Sequence, residues 1–145
     1  MSRLDAMPVM GEQEISNRRM LMRKIRISSG GVAAVATLHD NATADAIWAA
    51  LPISARGNRW GEEIYFEIPV RLSQAEDARD VLEAGELGYW PVGHAFCIFW
   101  GSTPASRGGE IRAYSPVNVF GRLVGDARAF DAVPGGGEIE IERVE

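Results

Sequence analysis

From Arg23 onward the apolar positions fall into short alternating runs, the period of strands half buried against a core. Ile25 and Ile27 alternate with Lys24 and Arg26. Ser29-Gly30-Gly31 then supplies a tight turn, and Val32 to Leu38 returns as the second strand of a hairpin. Further on, Ile64, Phe66 and Ile68 share one face while Glu63, Tyr65 and Glu67 share the other. Ala95-Phe96-Cys97-Ile98-Phe99-Trp100 is apolar on both faces, which predicts the most buried strand of the domain. Val117, Val119 and Leu123 mark another strand, with Gly121 at a bend or close approach. The triple glycine Gly135-Gly136-Gly137 turns into Glu138 to Glu142, where Ile139 and Ile141 face inward. One segment departs from this period. Asp40-Asn41 offers a cap, the alanines between Ala42 and Leu51 favour helix, and Pro52 closes it. A short helical turn fits Glu76 to Leu82, and Ser102 to Gly109 reads as a long surface loop. Short strands, Gly/Pro turns and one clear helix predict a mainly β domain whose sheet is closed or nearly closed.

Length and charge narrow the picture further. With 145 residues and 46% hydrophobic residues, the chain fits one domain with one core. Residues 1–22 show no clean period and are expected to form a flexible arm, leaving 23–145 as the domain. Fifteen basic against twenty acidic residues give a net charge of -5, with no basic stripe, so a nucleic-acid partner is not expected. No run of 18 apolar residues points to a membrane span. Cys97 is the only cysteine, which excludes an internal disulfide. The expectation is a cytoplasmic monomer or homodimer.

Most enzyme signatures are missing. There is no phosphate loop, no dinucleotide fingerprint and no nucleophile elbow, and the one lysine is Lys24. His39, His94 and Cys97 lack the spacing of a metal or Cys/His site, so no metal and no cofactor are expected, and Cys97 is assigned to core packing. Three clusters remain. Gly88-Tyr89-Trp90-Pro91-Val92-Gly93-His94 holds large flat side chains in a glycine-bracketed loop, a place for a pocket wall or a cap over the end of the sheet. Asn58-Arg59-Trp60-Gly61-Glu62-Glu63 gives Trp60 the parity of Ile64 and Phe66, hence burial. Glu62 shares that parity, so it either turns outward at Gly61 or is satisfied by Arg56, Arg59 or backbone donors. In Ser115-Pro116-Val117-Asn118-Val119, the Asn118 amide alternates away from its valine neighbours and pairs with loop backbone or with a ligand carbonyl.

Taken in order, these clusters resemble the TM1367-type family of small bacterial and archaeal cyclophilin-like proteins. The matching runs are Asn58-x-Trp60-Gly61-x-Glu63-Ile64-Tyr65-Phe66, then Gly88-Tyr89-Trp90-Pro91-x-Gly93-x-Ala95-x-Cys97-Ile98-Phe99 and Gly101-x-Thr103-Pro104, and lastly Ser115-x-Val117-Asn118-Val119-x-Gly121. The resemblance spans about residues 23–144 and implies a closed cyclophilin-like β-barrel with one α-helix and short helical turns. It implies no assigned biochemical role. Two functions follow from the residues. One is a domain that binds a small molecule or peptide through Arg59, Trp60, Glu62, Tyr89, Trp90, His94 and Asn118. The other is a peptidyl-prolyl cis/trans isomerase with a non-standard site, in which Arg59 donates to the twisting amide. The Phe-His-Arg-Val segment of true cyclophilins is absent from the chain.

Overall fold

A computed structural model describes residues 23–144; the arm expected over 1–22 lies outside the described residues. The strands are β1 (Lys24–Ser29), β2 (Val32–Leu38), β3 (Ile53–Arg56), β4 (Asn58–Arg59), β5 (Glu63–Glu67), β6 (Arg79–Leu82), β7 (Glu86–Trp90), β8 (Ala95–Phe99), β9 (Ile111–Leu123) and β10 (Glu138–Val144). Helix α1 covers Ala42–Ala50, and a 3-10 segment covers Ala127–Ala132. Asn41 caps α1 as its residue type predicts, its Oδ1 accepting from the Ala44 amide at 2.9 Å. Two segments differ from expectation. Arg79–Leu82 is the strand β6 and not a helical turn, because its backbone is taken up by pairing with β9. Tyr89 and Trp90 belong to β7 and not to a loop, with Gly88 opposite Cys97 in the ladder to β8.

Nine strands form one path in the order β3-β10-β1-β2-β9-β7-β8-β5-β4, with β6 paired to β9 off that path. The expected closed barrel is not formed. The path ends at β3 and β4, and no ladder joins them. The reason is local: Gly57 alone separates β3 from β4. One residue is too few for the hairpin turn that an antiparallel partner needs, so the two end strands follow one another along the chain. Gly57 instead exchanges backbone hydrogen bonds with the β10 turn, donating to Gly137 O at 2.9 Å and accepting from Gly136 N at 2.8 Å.

The sheet packs on both faces, unequally. Its inner face carries the main core, which includes Ile25, Ile27, Leu38, Phe66, Tyr89, Phe96, Ile98 and Phe120 together with Ile47 of α1. Phe96 stacks on Phe66 with centroids 5.1 Å apart and meets Phe120 edge-on at 5.0 Å. A smaller cluster of Leu82, Ala95, Cys97, Phe99, Ala113 and Val117 lies on the outer face. Strand β8 therefore is buried on both sides along its whole length, as its sequence predicts. Its outer side is covered by side chains of β6 and of the first half of β9. Among the described residues no helix is long and apolar enough to cross a membrane.

Candidate functional site

The outer cover is incomplete, and the gap is a cavity of about 240 Å³ lined by Trp60, Glu63, Tyr65, Trp90, Cys97, Ala113, Tyr114 and Val117. Strand alternation explains most of this set. Glu63 and Tyr65 stand on the outer side of β5, and Tyr65 lies opposite Cys97 of β8. Trp90 lies opposite Ala95 on the same side. Trp60 joins them because the chain doubles back at Gly61-Glu62. The β4–β5 register pairs Arg59 with Ile64, and Trp60 N donates to Glu63 O at 3.0 Å, which sets Trp60 across from Glu63. A straight count of alternating positions through this turn gives the wrong face. Gly61 makes the turn at φ 65°, and a Cβ there would meet Ser102 O at 2.7 Å.

Four rings wall the cavity. Trp60 meets Tyr114 with centroids 6.0 Å apart at 68°, and Tyr114 meets Trp90 at 5.8 Å and 75°. Trp90 meets Tyr65 at 6.3 Å and 82°. The successive near-perpendicular rings line one side of the cavity as a chain of edge-to-face contacts. Trp90 is held by its indole Nε1–H, which donates to Ser115 Oγ at 2.6 Å. Gly93 lies close beneath it, where a Cβ would meet the ring at 2.5 Å. Tyr114 is 74% exposed and forms the lip.

The polar groups of the lining are unusual for an outer face. Glu63 is only 5% exposed, and among the described residues no basic side chain pairs with it. Burial pushes its carboxyl from the ordinary 4.5 up to about 7, with the Cys97 thiol as a hydrogen-bond partner acting weakly the other way. Burial, then the adjacent Glu63 charge, pushes the Cys97 thiol well above its usual range. A thiol so held stays protonated and is a weak nucleophile. Among the described residues no group of three or more His, Cys, Asp or Glu side chains is placed to hold a metal ion.

The residues singled out from sequence divide between this cavity and other places. Trp60 and Trp90 line it. Arg59 does not reach it. Its guanidinium donates to Val133 O at 2.9 Å and Asp131 O at 3.2 Å, pairs with Asp131 and lies 5.1 Å over the Trp100 ring. Glu62 is exposed, and its Oε1 accepts from Ser102 N at 2.9 Å, with neither Arg56 nor Arg59 as partner. Tyr89 is buried on the inner face, its hydroxyl donating to Val70 O at 2.6 Å and accepting from Leu72 N at 3.2 Å. His94 ends the β7–β8 turn at φ 51° with Nδ1 2.6 Å from Arg71. Asn118 is buried, accepting from Ala75 N at 2.8 Å and donating to Ser73 O at 3.1 Å and Thr43 Oγ1 at 3.3 Å, so its amide is fully engaged. Glu63, Tyr65, Cys97, Ala113, Tyr114 and Val117 are the lining residues that sequence reasoning did not select. One signal for them was available: a strand apolar on both faces requires a covered outer face, and Glu63 stands on it.

Comparison with known proteins adds the relatives. Residues 23–142 match the family model described as cyclophilin-like. The chain is similar to the solution structure of the hypothetical protein AF2241 from Archaeoglobus fulgidus. Identity is 37% over 85% of this chain and 95% of that chain, with a TM-score of 0.74. No curated protein matches the chain.

Proposed function

The chain belongs to the cyclophilin-like family, and on that premise we propose that it is a binding domain whose site is the aromatic cavity on the outer face of the sheet. The observation that supports this reading is the set of rings Trp60, Tyr65, Trp90 and Tyr114 lining an open volume, on a face that is otherwise packed. Concave, mostly apolar sites with a few polar groups are the common form of small-molecule pockets, which run to roughly 300–1,000 Å³ for drug-sized ligands. This cavity is smaller, so its occupant is a small molecule or one side chain of a peptide. Within the family, the order of the motifs from Asn58 to Gly121 favours the TM1367-type group.

Peptidyl-prolyl isomerisation finds no such support. It calls for a donor over an apolar hollow, and the cavity lining contains no arginine. Arg59, the residue chosen for that task, is engaged by Asp131, Val133 and Trp100.

The four indole N–H signals of the protein test the binding reading. Trp60 and Trp90 line the cavity, whereas Trp48 and Trp100 pack elsewhere. A panel of small neutral fragments and Xaa-Pro peptides is expected to shift the first two signals and leave the other two in place. A panel that moves none of them, or all four alike, sinks the reading.

A further inference from the structure

Resting on the reading of this cavity as a binding site, we propose that its ligand is a small organic cation, an alkylated ammonium, held by Glu63 as counter-charge and by Trp60, Tyr65, Trp90 and Tyr114 as walls. Two observations converge on a cation. Four electron-rich rings line one volume, and clustered aromatic rings of this kind attract quaternary and methylated ammonium groups. The same rings repel an anion. The single acidic group on the lining is a buried carboxylate with no basic partner, and a buried charge is costly unless something pairs with it.

The surroundings do not supply that partner. The cationic groups of the covering strands are committed elsewhere: Arg79 to Glu86, Arg112 to Asp80 and Glu110, and Arg122 to Glu83. Strand β7 contributes Trp90, and β8 contributes Cys97, whose thiol is no counter-charge. The other titratable groups on the lining are the hydroxyls of Tyr65 and Tyr114. A neutral ligand of the same shape gains the apolar contacts and leaves Glu63 as it was. A cation gains the contacts, the rings and the carboxylate together.

Protonation of Glu63 gives this proposal its signature. The empty site holds the proton up to about pH 7, and a bound cation favours the ionised form. Cation binding therefore releases a proton near neutrality, and affinity rises with pH up to about 7 and levels off above it.

The test uses a matched pair, choline and 3,3-dimethyl-1-butanol, in which carbon replaces the ammonium nitrogen. Titrations followed by the Trp60 and Trp90 indole signals run from pH 5.5 to 8.5. Choline is expected to bind at pH 8.5 roughly tenfold tighter than the alcohol, a preference that shrinks on acidification. Glu63→Gln keeps the shape, and is expected to weaken choline, to remove its pH dependence and to leave the alcohol unchanged. Tyr114→Leu alters a ring that is 74% exposed, and is expected to weaken choline more than the alcohol. Equal affinity for the two compounds, or a choline preference that Glu63→Gln leaves intact, overturns the proposal while the binding cavity stands. If neither compound shifts the two signals but neutral fragments do, the proposal also fails and the cavity again stands. Failure of the neutral fragments as well removes both.

Discussion

Two carboxylates on the outer face of the same sheet are equally buried and opposite in character. Glu86 at the start of β7 is 3% exposed, and Glu63 at the start of β5 is 5% exposed. Glu86 receives both arms of the Arg79 guanidinium at 2.8 and 2.6 Å and the Glu83 amide at 2.8 Å. Burial alone pushes its carboxyl up, yet the Arg79 and Glu83 hydrogen bonds outweigh it and hold the group below its ordinary range. Among the described residues Glu63 has the Cys97 thiol as its hydrogen-bond partner and no basic side chain, and burial moves its carboxyl up to about 7. The protein pairs one carboxylate internally and, among the described residues, leaves the other without a basic partner. Where the cover of β6 and β9 closes, the carboxylate is structural; where it opens into the aromatic cavity, the carboxylate is available.

The largest expected effect comes from making Glu86 resemble Glu63. Arg79→Met strands a buried carboxylate, and removing one member of such a pair costs about 3–5 kcal/mol. Arg79 is half exposed and Arg122 remains 3.8 Å from Glu86, so the low end, about 3 kcal/mol, is expected in urea unfolding at pH 7. An unchanged midpoint would show that Arg122 alone suffices and that the two carboxylates differ less than their geometry says. The converse substitution, Glu63→Gln, removes the uncompensated group. A carboxyl raised in the folded state keeps its proton between pH 4.5 and about 7, while the unfolded chain has lost it. Wild-type stability attributable to Glu63 therefore falls as pH rises through that window and is flat above it. At about 1.4 kcal/mol per unit, the variant gains up to about 3 kcal/mol over wild type at pH 8 and nothing at pH 4. Unfolding midpoints at pH 4, 6 and 8 in both proteins measure this difference, and parallel profiles would mean that Glu63 ionises freely in the fold.

The same contrast explains what could be read from the chain. Alternation located β1, β5 and β10, the turn at Ser29-Gly30-Gly31 placed β2, a run apolar on both faces marked β8, and the Asn41 cap with Pro52 bounded α1 within a residue. Those are local signals. The open sheet was not legible, because it depends on a single residue between β3 and β4, two short strands that have no distinct pattern of their own. Nor was β6, whose strand conformation comes from its partner β9 and not from its own residues. For the site, Trp60 and Trp90 were found as large rings near glycines. Glu63 was passed over because an acidic residue on the polar side of an alternating strand ordinarily faces water. Its burial follows only when the double-sided strand β8 is combined with the β9 segment that folds across it, a contact between residues far apart in sequence.

Crowding the outer face without touching a charge gives a smaller effect. Gly88 lies under Val117, where a Cβ would stand 2.5 Å from Val117 Cγ2 and 2.9 Å from its Cβ. Gly88→Ala forces β9 outward beside the cavity, and overpacking of this kind costs about 1–3 kcal/mol. The expected result is a lowered urea midpoint with a shifted Val117 methyl signal; an unaltered midpoint would show that the outer cover yields easily.

The smallest effect separates two neighbouring aromatic residues on opposite faces. The Tyr89 hydroxyl is buried in the main core and bonded to both Val70 and Leu72, whereas the Trp90 indole is half buried and bonded to Ser115 alone. Ser115→Ala leaves the Trp90 N–H to water, which reaches a half-buried group, so the cost is about 1 kcal/mol or less. Its consequence is for the wall and not for the fold. The Trp90 indole proton is expected to exchange faster with solvent and its ring to lose its fixed place against Tyr65 and Tyr114. Tyr89→Phe, by contrast, leaves the buried Val70 carbonyl without its donor and the part-buried Leu72 amide without its acceptor, and is expected to lower stability by about 1–3 kcal/mol. Indole exchange rates and urea midpoints measured on both variants decide the matter. If Ser115→Ala destabilises the protein as much as Tyr89→Phe, the outer face is as tightly built as the inner one, and the cavity is a packing defect in a closed structure instead of a site held open.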